Sequence, residues 1–473
     1  MKIAAVIAEY NPFHNGHLYQ LRSLRSELCV DYIIVVISGD FTQRGIPAIV
    51  DKYSRTRMAL ENGADLVFEL PAYFALGSAA YFAEGAVSLL DKLGVVDVLH
   101  FGSECGDIAQ LTKYAQILAF ETPDYKRLLN QYLKQGLSYP TAKSKAFQQV
   151  LIHEKILAAE SDCNLPSIEA INTATPDYHL LLNNTINTVA TDRQCSAQIL
   201  AQPNNNLAME YIKALLLRKS TILPATITRK GSGYNNNTLT SGIFASADAL
   251  RRALLDLQSN PANINTIKEY LPETVYNDLK KQLATTAGSL LFTNDFSEIL
   301  HYKLIYEQQH NRAKGKRCFA SFYDINSQLS NTLYNHLPDF CKVSDFARSC
   351  KSKNLTYTHI SRCLMHILLD MKQDMIDELK EHDYSQYARL LGFRDAGKPV
   401  LKAIKANASI PLITKPAKAL KELNNIARVS FCADIYASTV YQNVKFHKMT
   451  HMSSYNKLNT VSNELKRQIM KLP

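Results

Sequence analysis

Residues 1–20 read MKIAAVIAEYNPFHNGHLYQ. The apolar run from Ile3 to Ile7 predicts a buried parallel strand, which ends before an Asn-Pro pair and a following helix. His14 and His17 fall at the start of that helix, where unpaired N–H groups and the positive dipole end attract an anion, and Gly16 lets a phosphate approach the backbone. Both imidazoles can donate hydrogen bonds to an α-phosphate as charge develops on it. The segment therefore predicts a nucleotide site for adenylyl transfer, with His14 and His17 as catalytic residues.

Two other interpretations of the histidine pair stay open from the motif alone. Two histidines around a glycine occur by chance near turns, and the H-x-x-H spacing also fits a metal pair. Metal ligation is the weaker alternative, because no cluster of cysteines or carboxylates lies nearby in the sequence to complete a coordination shell.

Length and composition indicate a globular protein. The chain has 473 residues, of which 46% are hydrophobic and 20% charged, and this length predicts two or three domains. The nine cysteines are scattered without a C-x-x-C pair, which favours reduced thiols in the cytoplasm over disulfides or zinc. No apolar run is long enough for a membrane span and no secretion signal is recognisable, so we expect no membrane association.

The charge is distributed unevenly. The net charge is +10, and short basic runs lie in the second half, at 312–317, 350–354 and 398–408. A basic half on a nucleotide-using enzyme suggests a polyanionic partner, with RNA as the natural candidate. A basic protein without such a partner fits the charge alone equally well.

The first 110 residues alternate between strand-like and helix-like segments. This alternation predicts an α/β fold, a Rossmann-like parallel sheet covered on both faces, whose ligands bind at the carboxyl ends of the strands. The predicted strands are Ile3–Ala8, Tyr32–Ile37, Leu66–Leu70 and Val96–Phe101, and the helices between them are Leu18–Leu28, Lys52–Asn62 and Ala79–Leu93.

The remaining chain is predicted to be mainly helical. Residues 153–200 are rich in Asn, Thr and Ser and are interpreted as an insertion. We expect a catalytic domain over 1–258, including this insertion, and a basic, mainly helical region over 259–473 that binds RNA. The predicted elements between 108 and 258 are helices at Ile108–Phe120, Pro123–Gln135, Thr141–Leu151, Leu207–Leu217 and Ser246–Leu257, and a strand at Ala225–Arg229.

Two polar residues near the end of the second predicted strand are further catalytic candidates. Asp40 follows that strand on the edge where a ligand would lie, and it could orient a substrate or hold a metal. Lys52 begins the next helix, so Lys52 or Arg55 could contact phosphate. Local charge pairing on the helix surface is the alternative.

Later segments offer further nucleotide contacts. Gly102, at the end of the fourth strand, would let an adenine or ribose lie against the backbone, although a plain tight turn has the same signature. Asn204 and Asn205 lie in PNNN (203–206), where helix capping is the alternative to ribose or base recognition. Three residues of ITRKGSGY (227–234) and FASADALRRAL (244–254) could bind the triphosphate: Arg229, Ser246 and Arg251.

Together these segments resemble the bacterial tRNA(Met) cytidine acetate ligase family, within the HxGH nucleotidylyltransferases. The resemblance covers most of the chain apart from about 153–200. It departs from the family pattern at Asn206-Leu207-Ala208 and at Asp248, which leaves open which asparagine contacts ATP. The segments that carry it are residues 1–21, QRGIPAIVDKYSRTRMALENGADLVFELP (43–71), FGSECGD (101–107), PNNN, ITRKGSGY, SADALRRAL (246–254), LTYTHISRCLMHILL (355–369), YARLLGFRDAGKPVL (387–401) and IPLITKPAK (410–418).

The resemblance implies an enzyme that uses ATP, Mg²⁺ and acetate to acetylate N4 of the wobble cytidine in elongator tRNA(Met) through acetyl-adenylate. It implies a cytoplasmic protein and no obligatory protein partner. A nucleotidylyltransferase that makes a small dinucleotide-type cofactor and a catalytically silent RNA-binding module remain the alternatives. The family's further nucleotide contacts map onto Gly102, Asn204 or Asn205, and Arg229. Its ATP segment maps onto Ile7, Ala8, Glu9, Tyr10, Asn11, Pro12, Phe13, His14, Asn15, Gly16, His17, Leu18, Tyr19 and Gln20.

Overall fold

The structure is a computed structural model that describes residues 1–137, 141–151, 199–200, 202–230, 242–285, 289–452 and 463–473. The described strands are β1 (Ile3–Ala8), β2 (Tyr32–Ser38), β3 (Phe41–Thr42), β4 (Ile46–Pro47), β5 (Leu66–Leu70), β6 (Val98–Ser103), β7 (Leu223–Thr228), β8 (Ala388–Arg394), β9 (Leu412–Ile413) and β10 (Met470–Leu472).

Helices fill most of the remaining described chain. In the first half they are α1 (Asn15–Ser26), α2 (Lys52–Glu61), α3 (Ala72–Ala75), α4 (Ala79–Lys92), α5 (Ile108–Phe120), α6 (Pro123–Lys134), α7 (141–151) and α8 (Pro203–Arg218). In the second half they are α9 (Ala247–Ser259), α10 (Glu273–Thr285), α11 (Ser297–His310), α12 (Ser327–His336), α13 (Val343–Ser349), α14 (Tyr357–Leu368), α15 (Gln373–Glu381), α16 (Lys398–Asn407), α17 (Pro416–Glu422) and α18 (Asn425–Met452).

The sheet has the strand order of a Rossmann-like fold. Its described strands lie in the order β10-β8-β5-β2-β1-β6-β7, with β9 beside β8. The neighbours β5-β2-β1-β6 are all parallel. The chain runs from β1 outward to β2 and β5 on one side and returns to β6 on the other, so a crevice opens at the carboxyl ends of β1 and β6. His14 follows β1 and Gly102 lies in β6, so both belong to this edge. This confirms the predicted Rossmann-like α/β sheet followed by a mainly helical C-terminal region.

Apolar strands explain why the sheet forms the centre of the core. Residues 33–37 of β2 and all of β5 are buried, as continuous apolar runs in a parallel sheet covered on both faces require. One large cluster joins β1, α1, β2 and α2 to side chains of α9 and α10, including Leu250, Leu254 and Leu279. The predicted bounds of β1, β5 and α5 agree with the structure at both ends.

The C-terminal half contributes strands that the sequence did not predict. We expected nearly everything beyond residue 260 to be helix or loop, but β8 pairs antiparallel with β5, and β9 and β10 pair parallel with β8. The expectation was wrong for these strands, because β8 is a single short apolar run and its partner β5 lies more than 300 residues earlier in the chain. Helix α2 packs closely against β8 at Gly392, where a Cβ would lie only 2.9 Å from Cγ2 of Thr56.

The chain divides into two compact units. One comprises Met1–Gly102 and Arg218–Pro473, and the other comprises Ser103–Leu217. The predicted division into a catalytic domain (1–258) and an RNA-binding region (259–473) concerns function, and it stays a prediction. Most of the predicted insertion, 153–198, lies outside the described residues. Among the described helices, none combines the length and the apolar composition needed to cross a bilayer.

Candidate active site

The two histidines of the N-terminal motif cap the helix that they begin. His14 is the N-cap of α1 in extended conformation, and its Nδ1 accepts a hydrogen bond from the backbone N–H of Gly16 at 3.1 Å. The Nδ1 of His17 accepts in turn from the backbone N–H of His14 at 3.2 Å. This reciprocal arrangement is a capping box in which imidazoles replace the usual hydroxyl and carboxylate. Gly16 is required here because a Cβ would lie 2.9 Å from Cε1 of the His14 ring.

The same hydrogen bonds fix which ring nitrogen carries the proton. Because both Nδ1 atoms accept backbone N–H groups, the proton of each neutral ring lies on Nε2, which is left as a donor. Burial, with the nearby cations of Arg229 and Arg251, lowers the pKa of His14 to about 3. Burial also lowers the pKa of His17, with smaller contributions from His14 and Arg229. Both rings are therefore neutral hydrogen-bond donors at pH 7.

Aromatic packing holds these rings in place. The imidazoles of His14 and His17 stack with centroids 3.7 Å apart. The ring of Tyr10 lies edge-on to His17 at 4.7 Å, and Phe13 lies 5.4 Å from the same ring. Tyr10 and Phe13 are buried in the core cluster, so the imidazole rings of His14 and His17 pack against rigid aromatic side chains.

Arg229 lies at the same edge of the sheet as the histidine pair. Its side chain crosses Gly102, where a Cβ would be 3.1 Å from the Arg229 Cγ. Gly102 therefore leaves room for Arg229, and the charge of Arg229 contributes to the lowered pKa values of His14 and His17. The structure thus brings together four predicted site residues: His14 and His17 after β1, Gly102 in β6 and Arg229 after β7.

Arg251 has a different environment from Arg229. Its Nη1 donates to the backbone carbonyl of Asn11 at 3.0 Å, and its Nη2 donates to Asp248 at 2.9 Å. Ser246 caps α9 by accepting the N–H of Ala249. The contacts of Arg251 tie α9 to the segment after β1, so its guanidinium supports the loop of the site as well as placing a cation near His14.

Other residues of the predicted ATP segment contact neighbouring elements. Asn15 donates to the backbone carbonyls of Ile243 and Glu269. Gln20 donates to the Nδ1 of His100 at 3.2 Å, and Tyr19 lies under the ammonium of Lys230 at 4.4 Å. The flanking members of the segment, Ile7, Ala8, Glu9 and Leu18, are half-buried.

Arg55 organises the loops around the site from inside the protein. It is fully buried, and its guanidinium donates to the backbone carbonyls of Glu9, Ser38, Gly39 and Val50. Glu9 follows β1, Ser38 and Gly39 lie at the end of β2, and Val50 precedes α2, so one side chain connects three loops. The contacts favour a positioning role for Arg55 over the phosphate contact that the sequence suggested.

Lys52 and Asp40 also lie inside the protein. The Lys52 ammonium is fully buried and pairs with Glu69 and Glu464, both at 2.8 Å. Arg389 completes this buried ion cluster by pairing with the same two carboxylates. The two carboxylates outweigh the effect of burial and raise the pKa of Lys52, so it stays charged. These contacts favour a structural role for Lys52 over a catalytic one.

Asp40 does not fit the role of magnesium ligand. Its Oδ1 accepts the backbone N–H of Lys52 at 2.9 Å, and its Oδ2 accepts the hydroxyl of Ser438 at 2.8 Å. Burial raises its pKa. A Mg²⁺ ligand needs an accessible ionised oxygen beside several waters, and Asp40 is only 3% exposed.

Asn204 and Asn205 lie in the second compact unit, at the start of α8. The Oδ1 of Asn205 accepts the backbone N–H groups of Glu104 and Cys105, and its Nδ2 donates to Gln202 at 2.7 Å. The carboxylate of Glu104 accepts hydrogen bonds from the side-chain amide of Asn204 and from the backbone N–H groups of Asn204 and Asn205. These bonds join the FGSECGD turn to the helix start. A contact of either asparagine with ATP stays a prediction.

Comparison with known proteins decides the family. The family model described as HIGH Nucleotidyl Transferase matches residues 1–456. The tRNA(Met) cytidine acetate ligase of Clostridium perfringens (strain SM101 / Type A) is 35% identical over 420 residues, 89% of this chain and 91% of the relative. That of Thermoanaerobacter sp. (strain X514) is 35% identical over 441 residues, 93% and 95% of the two chains. The chain belongs to the tRNA(Met) cytidine acetate ligase family.

Solved structures of a family member agree with this assignment. The crystal structure of Thermotoga maritima TmcAL in its apo form I has a TM-score of 0.81 at 26% identity, with 100% of both chains covered. The same protein bound with alpha-thio ATP in form II has a TM-score of 0.78 at 26% identity, again over 100% of both chains.

Four residues that contact predicted site residues or their partners were not singled out from the sequence. His100 lies in β6 beside Gln20, and burial lowers its pKa to about 4. Glu104 was part of a quoted motif, and an acidic residue near a helix start was a usable signal for it. Arg389 and Glu464 had no local signal, because their partners are distant in the chain. Residues 231–234 of the ITRKGSGY motif lie outside the described residues.

Proposed function

We propose that this protein is an ATP-dependent tRNA acetate ligase that converts the wobble cytidine of elongator tRNA(Met) to N4-acetylcytidine. Membership of the family supports the overall reaction. The observation that carries the chemistry is the pair of neutral imidazoles of His14 and His17, with both Nε2–H donors left over after capping α1 at the switch point of the sheet.

In the first step an acetate oxygen attacks the α-phosphorus of ATP, and the bond to the bridging oxygen of pyrophosphate breaks. Charge grows on the α-phosphoryl oxygens, where His14 and His17 donate from Nε2. The cation of Arg229 balances the polyphosphate as pyrophosphate leaves. The products are acetyl-adenylate and pyrophosphate, and no covalent enzyme intermediate is needed.

In the second step the N4 amine of cytosine attacks the acetyl carbonyl carbon, and AMP leaves. The amine is a weak nucleophile because its lone pair is delocalised into the ring, which is why the acetate is first activated as a mixed anhydride. The amine loses one proton to solvent as the amide forms. The cytosine has to be unstacked from its neighbours to reach the anhydride.

The remaining roles are part of the same proposal. Mg²⁺ would supply charge neutralisation to the polyphosphate of ATP. Asp40 does not fit as its ligand, so no step is assigned to the ion. Of the other predicted ATP contacts, Gly102 leaves room for Arg229, Ser246 caps α9, and Arg251 ties α9 to the loop after β1. The basic C-terminal region would bind the tRNA phosphates, and we expect the enzyme to act in the cytoplasm, where tRNA and ATP are present.

The test is ATP–pyrophosphate exchange by the purified protein, with and without acetate and without tRNA. Exchange that requires acetate, followed by transfer of labelled acetate to elongator tRNA(Met), supports the proposal. Exchange that acetate leaves unchanged contradicts it, because acetyl-adenylate would then not form. Propionate and glycine serve as matched carboxylate controls.

A further inference from the structure

A row of aromatic rings lies on the solvent side of α11. Tyr302 is 71% exposed and Tyr306 is 40% exposed, whereas Leu300 and Leu304 on the other face are fully buried. Tyr302, Tyr306 and His310 are spaced by four residues, so they lie on one face of the helix. We call these three side chains the ring row.

Neighbouring rings of this row lie close together, and Tyr306 stacks on His310. The ring centroids of Tyr302 and Tyr306 are 6.4 Å apart at an interplanar angle of 34°, and those of Tyr306 and His310 are 3.7 Å apart at 26°. From Tyr302 to His310 the helix rises about 12 Å at 1.5 Å per residue. That length matches about three bases stacked at 3.4 Å each.

A cationic turn follows the ring row directly. Arg312–Arg317 forms a short 3₁₀ segment after α11, with Gly315 at φ 53° in its middle. Arg312, Lys314, Lys316 and Arg317 are all exposed. Within the described part of the chain, no carboxylate forms an ion pair with any of these four side chains. We call this segment the basic turn.

The combination of the two features selects the kind of ligand. Exposed rings alone would suit an apolar protein surface, and four unpaired cations alone would suit any polyanion. Exposed rings followed directly by unpaired cations suit single-stranded nucleic acid, because its bases stack on aromatic rings while its phosphates contact Lys and Arg. A duplex hides its base faces and would use only the cations.

We propose that the ring row and the basic turn form a platform that binds unpaired nucleotides of the tRNA substrate. The bases stack on Tyr302 and Tyr306, and the adjoining phosphates contact Lys314 and Lys316. This inference rests on the proposed function, because it takes the tRNA as given, and it adds the surface and the mode of recognition. No bond is made or broken on this surface.

The test compares tRNA binding by the full-length protein and its variants, with the Kd measured for an elongator tRNA(Met) transcript. Tyr302→Ala and Tyr306→Ala should each raise the Kd about 10-fold, since one base–ring stack is lost in each. Tyr302→Phe should stay within about twofold of the wild type, because a phenyl ring still stacks. Tyr436→Ala removes a tyrosine of similar exposure, 44%, from another helix and should leave the Kd unchanged.

Salt dependence separates the rings from the cations. Lys314→Gln combined with Lys316→Gln should lower the slope of log Kd against log salt by about 1.4, at 0.7 per lost phosphate contact in a single strand. The tyrosine variants should keep the wild-type slope. A stem-loop RNA should compete with the tRNA, and a blunt duplex of the same stem should bind the tyrosine variants and the wild type equally.

Three results would overturn the inference. In the first, Tyr302→Ala and Tyr306→Ala bind tRNA as tightly as the wild type. In the second, the two variants lose affinity for the duplex as much as for the loop. In the third, tRNA binding is unchanged while the variants abolish self-association in sedimentation or binding to anionic vesicles. Acetate-dependent exchange in the wild type without tRNA tests the proposed function separately, so failure of one is distinguishable from failure of the other.

Discussion

His14 and His17 use the same atom, Nδ1, to accept a backbone N–H in the first turn of α1, and their rings stack 3.7 Å apart. The two side chains that cap the helix are therefore also the two proposed donors to the α-phosphate. One nitrogen of each ring contributes to folding and the other is left for chemistry. Substitutions that preserve one role and remove the other can separate them.

The first prediction compares two substitutions of His14. His14→Asn keeps a side-chain acceptor at the N-cap but loses the Nε2–H donor. We expect its free energy of unfolding to equal that of the wild type, with acetate-dependent exchange about 100-fold slower. His14→Ala should lose the exchange to the same extent and also about 1 kcal/mol of stability. Urea unfolding and exchange rates measure the two effects. Exchange by His14→Asn at the wild-type rate would remove His14 from catalysis.

The second prediction concerns pH. The pKa of His14 in the folded state is about 3, below its ordinary value of 6.5. The unfolded chain therefore binds one proton more than the folded chain between these values, and stability is lost as the pH falls from about 6.5 towards 3. Each such histidine contributes a slope of up to about 1.4 kcal/mol per pH unit.

The measurement is urea unfolding of the wild type and of His14→Asn between pH 7.5 and 4.5. The variant should lose less stability on acidification, since it lacks one of the buried neutral rings. In the same range, the pH profiles of kcat/KM for ATP should have the same shape in the wild type and in His14→Asn. The His14 ring is already neutral, so its titration adds no inflection to the wild-type profile. A histidine-type inflection near pH 6.5 would contradict the neutral-donor assignment.

Local patterns in the sequence predicted the parts of the structure that local physics determines. The apolar run of β1 and the start of α2 at Lys52 are set by neighbouring residues, and their predicted places agree with the structure. Helix α1 begins at Asn15, three residues before the predicted Leu18. The prediction of Ser246 at the start of α9 is confirmed for the same reason, since a hydroxyl at the N-cap satisfies a nearby backbone N–H.

Contacts between distant segments could not be predicted in this way. A lysine that begins a helix beside a ligand edge suggests a phosphate contact, and only the fold shows that Lys52 points inward. Its partner Glu464 comes from the end of the chain, and Arg389 comes from a strand that was not predicted. Buried charge clusters depend on tertiary pairing, so composition and periodicity give no signal for them.

The third prediction tests the role of Lys52. Lys52→Met leaves Glu69 and Glu464 with one cation, Arg389, for two buried carboxylates. We expect a loss of about 3–5 kcal/mol in the free energy of unfolding, with exchange per folded molecule within about threefold of the wild type. The exposed Lys418, which pairs with Glu422, is the matched control, and Lys418→Met should cost less than about 1 kcal/mol. A stable but inactive Lys52→Met would instead make Lys52 catalytic.

The fourth prediction contrasts two arginines that both lower the pKa of His14. Arg229 lies over Gly102, while Arg251 is buried and donates to Asn11 and Asp248. Arg229→Gln should raise the KM for ATP about 10-fold with stability unchanged, because it removes a charge-assisted contact to phosphate. Arg251→Gln should also lose about 2 kcal/mol of stability, since Asp248 and the Asn11 carbonyl lose a buried donor.

Arg252 is the matched control for both substitutions, because it adjoins Arg251 and its side chain is 57% exposed. Arg252→Gln should change neither the KM nor the urea midpoint. Equal losses of stability in Arg229→Gln and Arg251→Gln would mean that Arg229 is structural, and an unchanged KM in Arg229→Gln would remove it from the triphosphate. A raised KM at constant stability in Arg229→Gln alone would assign the polyphosphate to the strand edge that carries Gly102, because the side chain of Arg229 is held there.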